Sequence, residues 1–105
     1  MQIIIDLDGT ICSEERTFSR SLAKPKDHAV ESVNALYDAG NIIIIYSART
    51  WVEYEMTVDW LKRNGIKYHQ LFMGKPVGDV WIDDRALQFR DNWSEILNIL
   101  SKKKK

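Results

Sequence analysis

Asp6 and Asp8 stand two residues apart, directly after a short apolar run at residues 2–5. Ser47 and Arg49 follow a second apolar run at 42–46, and Gly74 and Lys75 follow a third near 66–72. Asp83, Asp84 and Arg85 follow a fourth at 80–82. Four carboxylates on one rim would repel each other unless a cation sat among them. All-oxygen donors suit a hard ion, magnesium (Mg2+) before zinc, and no Cys/His cluster competes. Lys75, Ser47 and the N–H groups of the Gly9–Thr10 turn could hold an anion beside that ion. This set suits phosphoryl transfer. One carboxylate attacks phosphorus; the other gives a proton to the leaving oxygen and later takes one from water.

The elements that must position these groups are readable from hydrophobic spacing. The runs at 2–5 and 42–45, the latter four consecutive isoleucines, predict strands buried on both faces. Residues 12–24 are polar and predict an exposed loop or flap. Pro25 permits a helix start near Lys26 or Asp27, and Gly40 gives a stop. A second helix is expected over 51–63, ended by Asn64-Gly65, and a last one over 93–100. Strands are expected at 66–72 and 80–82. Alternating β and α units imply an α/β fold: a Rossmann-like three-layer α/β/α sandwich, its sheet mostly parallel, with helices on both faces. Ligands in such sheets bind outside the carboxyl ends of the strands, where all the polar groups above would converge.

The chain has 105 residues, which fits one domain over 1–101 with a solvated lysine tail at 102–105. Formal net charge is zero, so no global basic field points to nucleic acid. Cys12 is the single cysteine, which excludes an intramolecular disulfide and fits a reducing, cytoplasmic setting. No apolar run is long enough for a membrane span.

Asp6-Leu7-Asp8-Gly9-Thr10 after an apolar strand resembles the first motif of the haloacid-dehalogenase-like superfamily. Ser47 resembles its second motif, Lys75 its third and Asp83-Asp84 its fourth, in the family's order. The resemblance implies an aspartyl-phosphate on Asp6 and acid–base work by Asp8, whose backbone carbonyl would also touch magnesium. It implies phosphoryl contacts from Ser47 and Lys75, and magnesium ligation by Asp83 with Asp84 helping. Lys24-Pro25, Ser47-Ala48-Arg49, Gly74-Lys75-Pro76 and Ile82-Asp83-Asp84-Arg85-Ala86 are similar to small bacterial phosphatases of capsule or polysaccharide biosynthesis. The family's usual cap domain has no room here, which implies an open site and a homo-oligomer or a large substrate. The expected substrate is a sugar phosphate or related small metabolite. Glu14, Glu15, Arg16 and Arg20 on the flap, with Arg49 and Trp51 above the second strand, are positioned to contact it.

Each motif also has an ordinary reading. Ser47 could cap a turn, Lys75 could be a solvated loop lysine, and Asp83-Asp84 could cap a short helix. Arg49 could ion-pair with a neighbouring carboxylate as readily as with substrate. Cys12 reads as a small buried thiol, and the tryptophans as core or interface rather than a stacking platform. Two other functions compete: a phosphoacceptor signalling domain and a non-catalytic module with the same magnesium- and phosphate-binding fold. The first would need an aspartate on a middle strand, and none follows 42–46 or 66–72.

Overall fold

In the computed structural model, which describes residues 1–103, three parallel strands form one sheet in the order β1 (Gln2–Asp6), β2 (Ile42–Tyr46), β3 (Gln70–Phe72). β1 pairs with β2 from Gln2↔Ile42 to Asp6↔Tyr46, and β2 with β3 from Ile44↔Gln70 to Tyr46↔Phe72. The carboxyl ends of the strands therefore finish level, at Asp6, Tyr46 and Phe72. Helix α1 (Ala29–Asp38) joins the first two strands and α2 (Tyr54–Arg63) the second and third; α3 (Trp93–Ser101) closes the described chain. A 3-10 helix spans Thr17–Leu22, and another, Trp51–Glu53, leads into α2. This is a small α/β fold with Rossmann-like winding.

One core holds the three helices to the sheet. Ile5, Ile43 and Ile45 meet Ala29, Val33 and Leu36 of α1, Trp60 and Leu61 of α2, and Trp93 and Ile96 of α3. Leu7 and Ile11, both fully buried, root the loop after β1 in the same core. Each such side chain contributes about 1.5–3 kcal/mol by leaving water. Anchoring a loop this way fixes what the loop carries.

The two faces of the sheet are covered unequally. Side chains on a strand alternate between faces. Ile5, Ile43 and Ile45 lie under the helices, whereas Ile4 (64 % exposed), Ile42 and Phe72 face outward. Right-handed crossovers in a 1-2-3 strand order place both connecting helices on the same side, and α3 packs on α1. A second helical layer would need a strand beyond β1 to reverse the winding. The expected strand at 80–82 does not form: Val80 and Ile82 are exposed and lie in no ladder. Three residues preceded by Gly78-Asp79 offer few ladder bonds against the cost of ordering them.

The remaining boundaries shift for local reasons. The α1 helix begins at Ala29 because His28 adopts a left-handed conformation (φ 64°) in a turn closed by Ala29 N–H on Lys26 O. The third strand is confined to Gln70–Phe72, because Ile66 N–H returns to Leu61 O and the chain pairs with β2 only from Ile44 onward. At the lysine end, the amides of Lys102 and Lys103 still donate to Ile99 O and Leu100 O; Lys104 and Lys105 lie outside the described residues.

Candidate functional site

The loop after β1 is a tight wrap around one carbonyl. Leu7 O accepts from the N–H groups of Thr10 (3.2 Å), Ile11 (2.9 Å) and Cys12 (3.2 Å), while Gly9 N–H donates to Cys12 O (2.8 Å). Gly9 has φ 84°, a conformation that glycine adopts without steric cost. Trp93 Nε1–H donates to Thr10 O (2.8 Å) and ties the loop to α3. The turn thus holds Asp6 and Asp8 firmly. It also corrects the anion cradle expected at Gly9 and Thr10, since both N–H groups already donate inside the loop.

Asp8 meets Arg49. Arg49 Nε–H donates to Asp8 Oδ2 (2.9 Å) and Nη2–H to Oδ1 (2.8 Å), a two-pronged pair. The Arg49 side chain is fully buried, and that of Asp8 is 15 % exposed. Behind the guanidinium, Nη1–H donates to Thr57 Oγ1 (3.0 Å), whose own hydroxyl donates to Glu53 O. Burial works against the arginine charge, but the hydrogen bond and charge of Asp8 outweigh it and hold the guanidinium above its ordinary range. Of the two readings of Arg49, the geometry matches the ion pair with a neighbouring carboxylate rather than a group free to touch substrate.

Ser47 is fully buried, and its Oγ accepts the Arg49 N–H (3.0 Å), which is the turn-capping role. Its backbone does more for the site. Ser47 N–H donates to Phe72 O and Lys75 N–H to Ser47 O, while Gly74 N–H donates to Arg49 O. These bonds lash the segment after β3 to the end of β2. They deliver Lys75 to Asp6, with Nζ 3.4 Å from Oδ1. Lys75 Nζ also lies over the rings of Tyr46 (5.9 Å) and Trp81 (5.3 Å).

Arg20, the other expected substrate contact, is instead a latch. Its Nη1 lies 2.7 and 2.9 Å from the two carboxylate oxygens of Glu53. Glu53 also accepts the Thr50 N–H (3.0 Å), completing a capping box at the start of the Trp51–Glu53 turn. Burial opposes ionisation of Glu53, but Arg20 and the Thr50 N–H prevail and hold its carboxyl below the usual range. The flap over 12–24 is pinched at its base by Ser13 N–H on Lys24 O and at its end by Trp60 Nε1–H on Ala23 O.

Cys12 is buried, with Sγ 3.6 Å from Asp8 Oδ1. Burial first, then the Asp8 charge, pushes its thiol up to about 12, which favours the neutral, weakly nucleophilic form.

Asp83 and Asp84 form no hydrogen bond or ion pair with this cluster. Both are exposed, and Asp83 Oδ1 accepts the Arg85 N–H (2.7 Å), a turn bond. Among the described residues no three His, Cys, Asp or Glu side chains group as metal ligands. With Asp6 paired to Lys75 and Asp8 to Arg49, this arrangement does not fit the magnesium site expected from Asp6, Asp8, Asp83 and Asp84. The groups that residue reasoning missed are Thr57 and Glu53. They lie on and before a helix whose spacing advertised only its apolar stripe.

The fold and the strand-end cluster define a Rossmann-like α/β protein with a paired carboxylate–lysine rim. No family model matches the chain, and no curated protein matches it significantly. Solved structures do. One is a structural-genomics target from Vibrio cholerae, with TM-score 0.71 and 21 % identity over 94 % of this chain and 98 % of that one. A second is a conserved protein from Bacteroides thetaiotaomicron, with TM-score 0.71 and 24 % identity over 100 % and 93 %. A third is a chain of the Pnkp1/Rnl/Hen1 complex, with TM-score 0.62 and 21 % identity over 79 % of this chain and 31 % of that one. These likenesses establish the fold. Among the described residues no helix is long and apolar enough to cross a membrane.

Proposed function

We propose that the chain is a phosphomonoester hydrolase of the haloacid-dehalogenase-like kind, with Asp6 as nucleophile. The observation that carries this reading is the Asp6–Lys75 contact of 3.4 Å at the level carboxyl ends of the strands. A phosphoryl group beside Asp6 would meet the Lys75 ammonium, which offsets the repulsion between two anions. Asp6 Oδ would form the bond to phosphorus as the leaving oxygen departs. Water would then release inorganic phosphate and restore Asp6.

Asp8 keeps the acid–base role under a constraint. Arg49 occupies one lone pair on each of its oxygens, and Cys12 Sγ–H faces Oδ1 as a second donor, so Oδ2 is the oxygen with acceptor capacity to spare. Proton delivery would thus run through an oxygen already accepting one N–H.

Magnesium belongs to the proposal as a requirement that the described arrangement does not meet. A magnesium-dependent enzyme would need Asp83 grouped with Asp6 and Asp8, a grouping that the described residues do not form. The substrate class proposed is a sugar phosphate or related small metabolite.

The test is hydrolysis of an aryl phosphate by the unmodified chain and by Asp6→Asn, each with magnesium and with chelator. Turnover that needs Asp6 and magnesium supports the reading. Equal inertness of both proteins across a broad phosphate-ester panel sinks it. Turnover with Asp6 but undiminished by chelator keeps the nucleophile and removes the metal.

A further inference from the structure

We infer that Tyr46 and Trp81 form an aromatic clamp that holds the Lys75 ammonium against Asp6, which makes both of them positioning residues for the phosphoryl step. The inference rests on the phosphohydrolase reading and deepens it. The backbone at Lys75 is fixed, because Lys75 N–H donates to Ser47 O (2.9 Å) and Gly74 N–H to Arg49 O (3.0 Å). Those bonds settle where the side chain starts, not where its charge ends, since a flexible four-carbon stem lies between.

The ion pair alone is too weak to hold that charge in place. Keeping a lysine stem in one arrangement costs about thirtyfold in population. The Lys75–Asp6 pair is 3.4 Å long, and its carboxylate side chain is 36 % exposed. A pair so open to water returns about fivefold at most. The rings supply the rest. Lys75 Nζ stands 5.9 Å from the Tyr46 ring centroid and 5.3 Å from that of Trp81. Each cation–π contact at a partly exposed site is worth about two- to fivefold. The three contacts together offset the ordering cost, so the share of Lys75 held at Asp6 responds to each of them.

The two walls of the clamp have different origins. Tyr46 ends β2 and is paired with Asp6 on one side and Phe72 on the other. It is therefore set by the same ladder that places Asp6 at the rim. Trp81 comes from the segment after Lys75, which lies in no ladder. Among the described residues no hydrogen bond ties 77–82 to the sheet. Trp60 and Trp93 are core residues whose indole N–H groups are satisfied. Trp81 is 57 % exposed, so burial accounts for little of its placement. Its ring is placed by the ammonium that it covers. Lys75 itself stays half-buried, gripped from two sides without being sealed off.

The experiment measures kcat and KM, with magnesium present, for an aryl phosphate and for ribose 5-phosphate. It uses the full chain, Trp81→Leu and Trp81→Phe, and repeats Trp81→Leu in a Lys75→Met background. Ribose 5-phosphate carries no aromatic ring, so stacking of substrate on Trp81 cannot imitate the effect. Trp81→Leu should lower kcat about two- to fivefold on both esters and leave KM little moved. Trp81→Phe keeps a ring face and should keep most of kcat. In the Lys75→Met background Trp81→Leu should change nothing further, because the group through which Trp81 acts is gone. A kcat unmoved by Trp81→Leu, a loss confined to the aryl ester, or an equal loss in the Lys75→Met background overturns the inference and leaves the phosphohydrolase reading standing. A second readout needs no turnover. The proton resonances of the Lys75 ε-methylene, identified by their absence from Lys75→Arg, should be displaced upfield by the two rings, and Trp81→Leu should move them back. If no ester is hydrolysed at all, the phosphohydrolase reading fails and these resonances decide the clamp by themselves. Displacement that Trp81→Leu reverses supports it, and ordinary positions overturn it.

Discussion

The buried guanidinium of Arg49 closes on both oxygens of Asp8, across 41 residues of sequence, at 2.8 and 2.9 Å. This pair joins the loop after β1 to the end of β2 and to Thr57 on α2. Removing one partner leaves the other charge buried without compensation, which costs about 3–5 kcal/mol. Arg49→Ala and Asp8→Ala are both expected to lose stability of that order in urea unfolding. The double variant should lose less than the sum, since the orphaned charge is gone. Arg49→Lys should recover only part of the loss, because an ammonium cannot reproduce the fork.

The Arg20–Glu53 latch predicts an acid-sensitive flap. Glu53 ionises below its ordinary 4.5 in the folded chain. The stabilisation it gives is therefore fully present above pH 4.5 and is lost as pH falls through the lower folded value. In Glu53→Gln, the decline of stability below pH 4.5 should be shallower, and at neutral pH the variant should be about 1–3 kcal/mol less stable. Proteolysis within 12–24 should quicken at the same time. A variant with unchanged acid unfolding and an equally resistant flap would show that the latch contributes nothing.

Cys12 predicts the opposite slope. Its thiol is raised to about 12 from 9.0, so the folded chain favours the neutral form. That contribution is complete below pH 9.0 and fades as pH rises towards the folded value. Cys12→Ser should flatten the alkaline decline in stability. Disulfide-exchange reagents should label Cys12 in the unfolded chain at pH 8 and leave the native chain almost untouched. Rapid labelling of native protein would contradict the burial of this thiol.

How much of this was legible beforehand follows from the range of the forces involved. The strands at β1 and β2 announce themselves by apolar residues alone, and Asp6 lands at the end of β1 because the run stops there. The helices differ only at ends governed by single turns, such as the left-handed His28. That Asp6 and Lys75 share one rim followed from placing both at strand ends, which needs only a parallel sheet; their contact did not. The role of Arg49 did not follow, because nothing local distinguishes a guanidinium facing substrate from one buried against Asp8. The run at 80–82 has strand-like composition, yet pairing also requires an edge reached at a tolerable ordering cost. Composition contains no term for that. The uneven cover of the sheet has the same origin: among the described residues Ile4 and Phe72 stay exposed on the face opposite Ile5, Ile43 and Ile45.

Lys75 offers the most direct separation of chemistry from architecture. Its ammonium contacts Asp6, and its position over the Tyr46 and Trp81 rings adds packing. Lys75→Met keeps an apolar stem over the rings and deletes the charge. Stability should then change little, because the Asp6 side chain is more than a third exposed and the pair is screened by solvent. Under the phosphohydrolase reading, turnover should fall by about 10²-fold or more, the usual cost of removing one preorganised group that faces developing charge. The fall should lie in kcat at least as much as in KM. Lys75→Arg should recover part of it, since a guanidinium also faces a phosphoryl oxygen but with different reach. An Asp6-dependent activity that survives Lys75→Met undiminished would separate the lysine from the chemistry and leave it a purely architectural tie between β3 and β1.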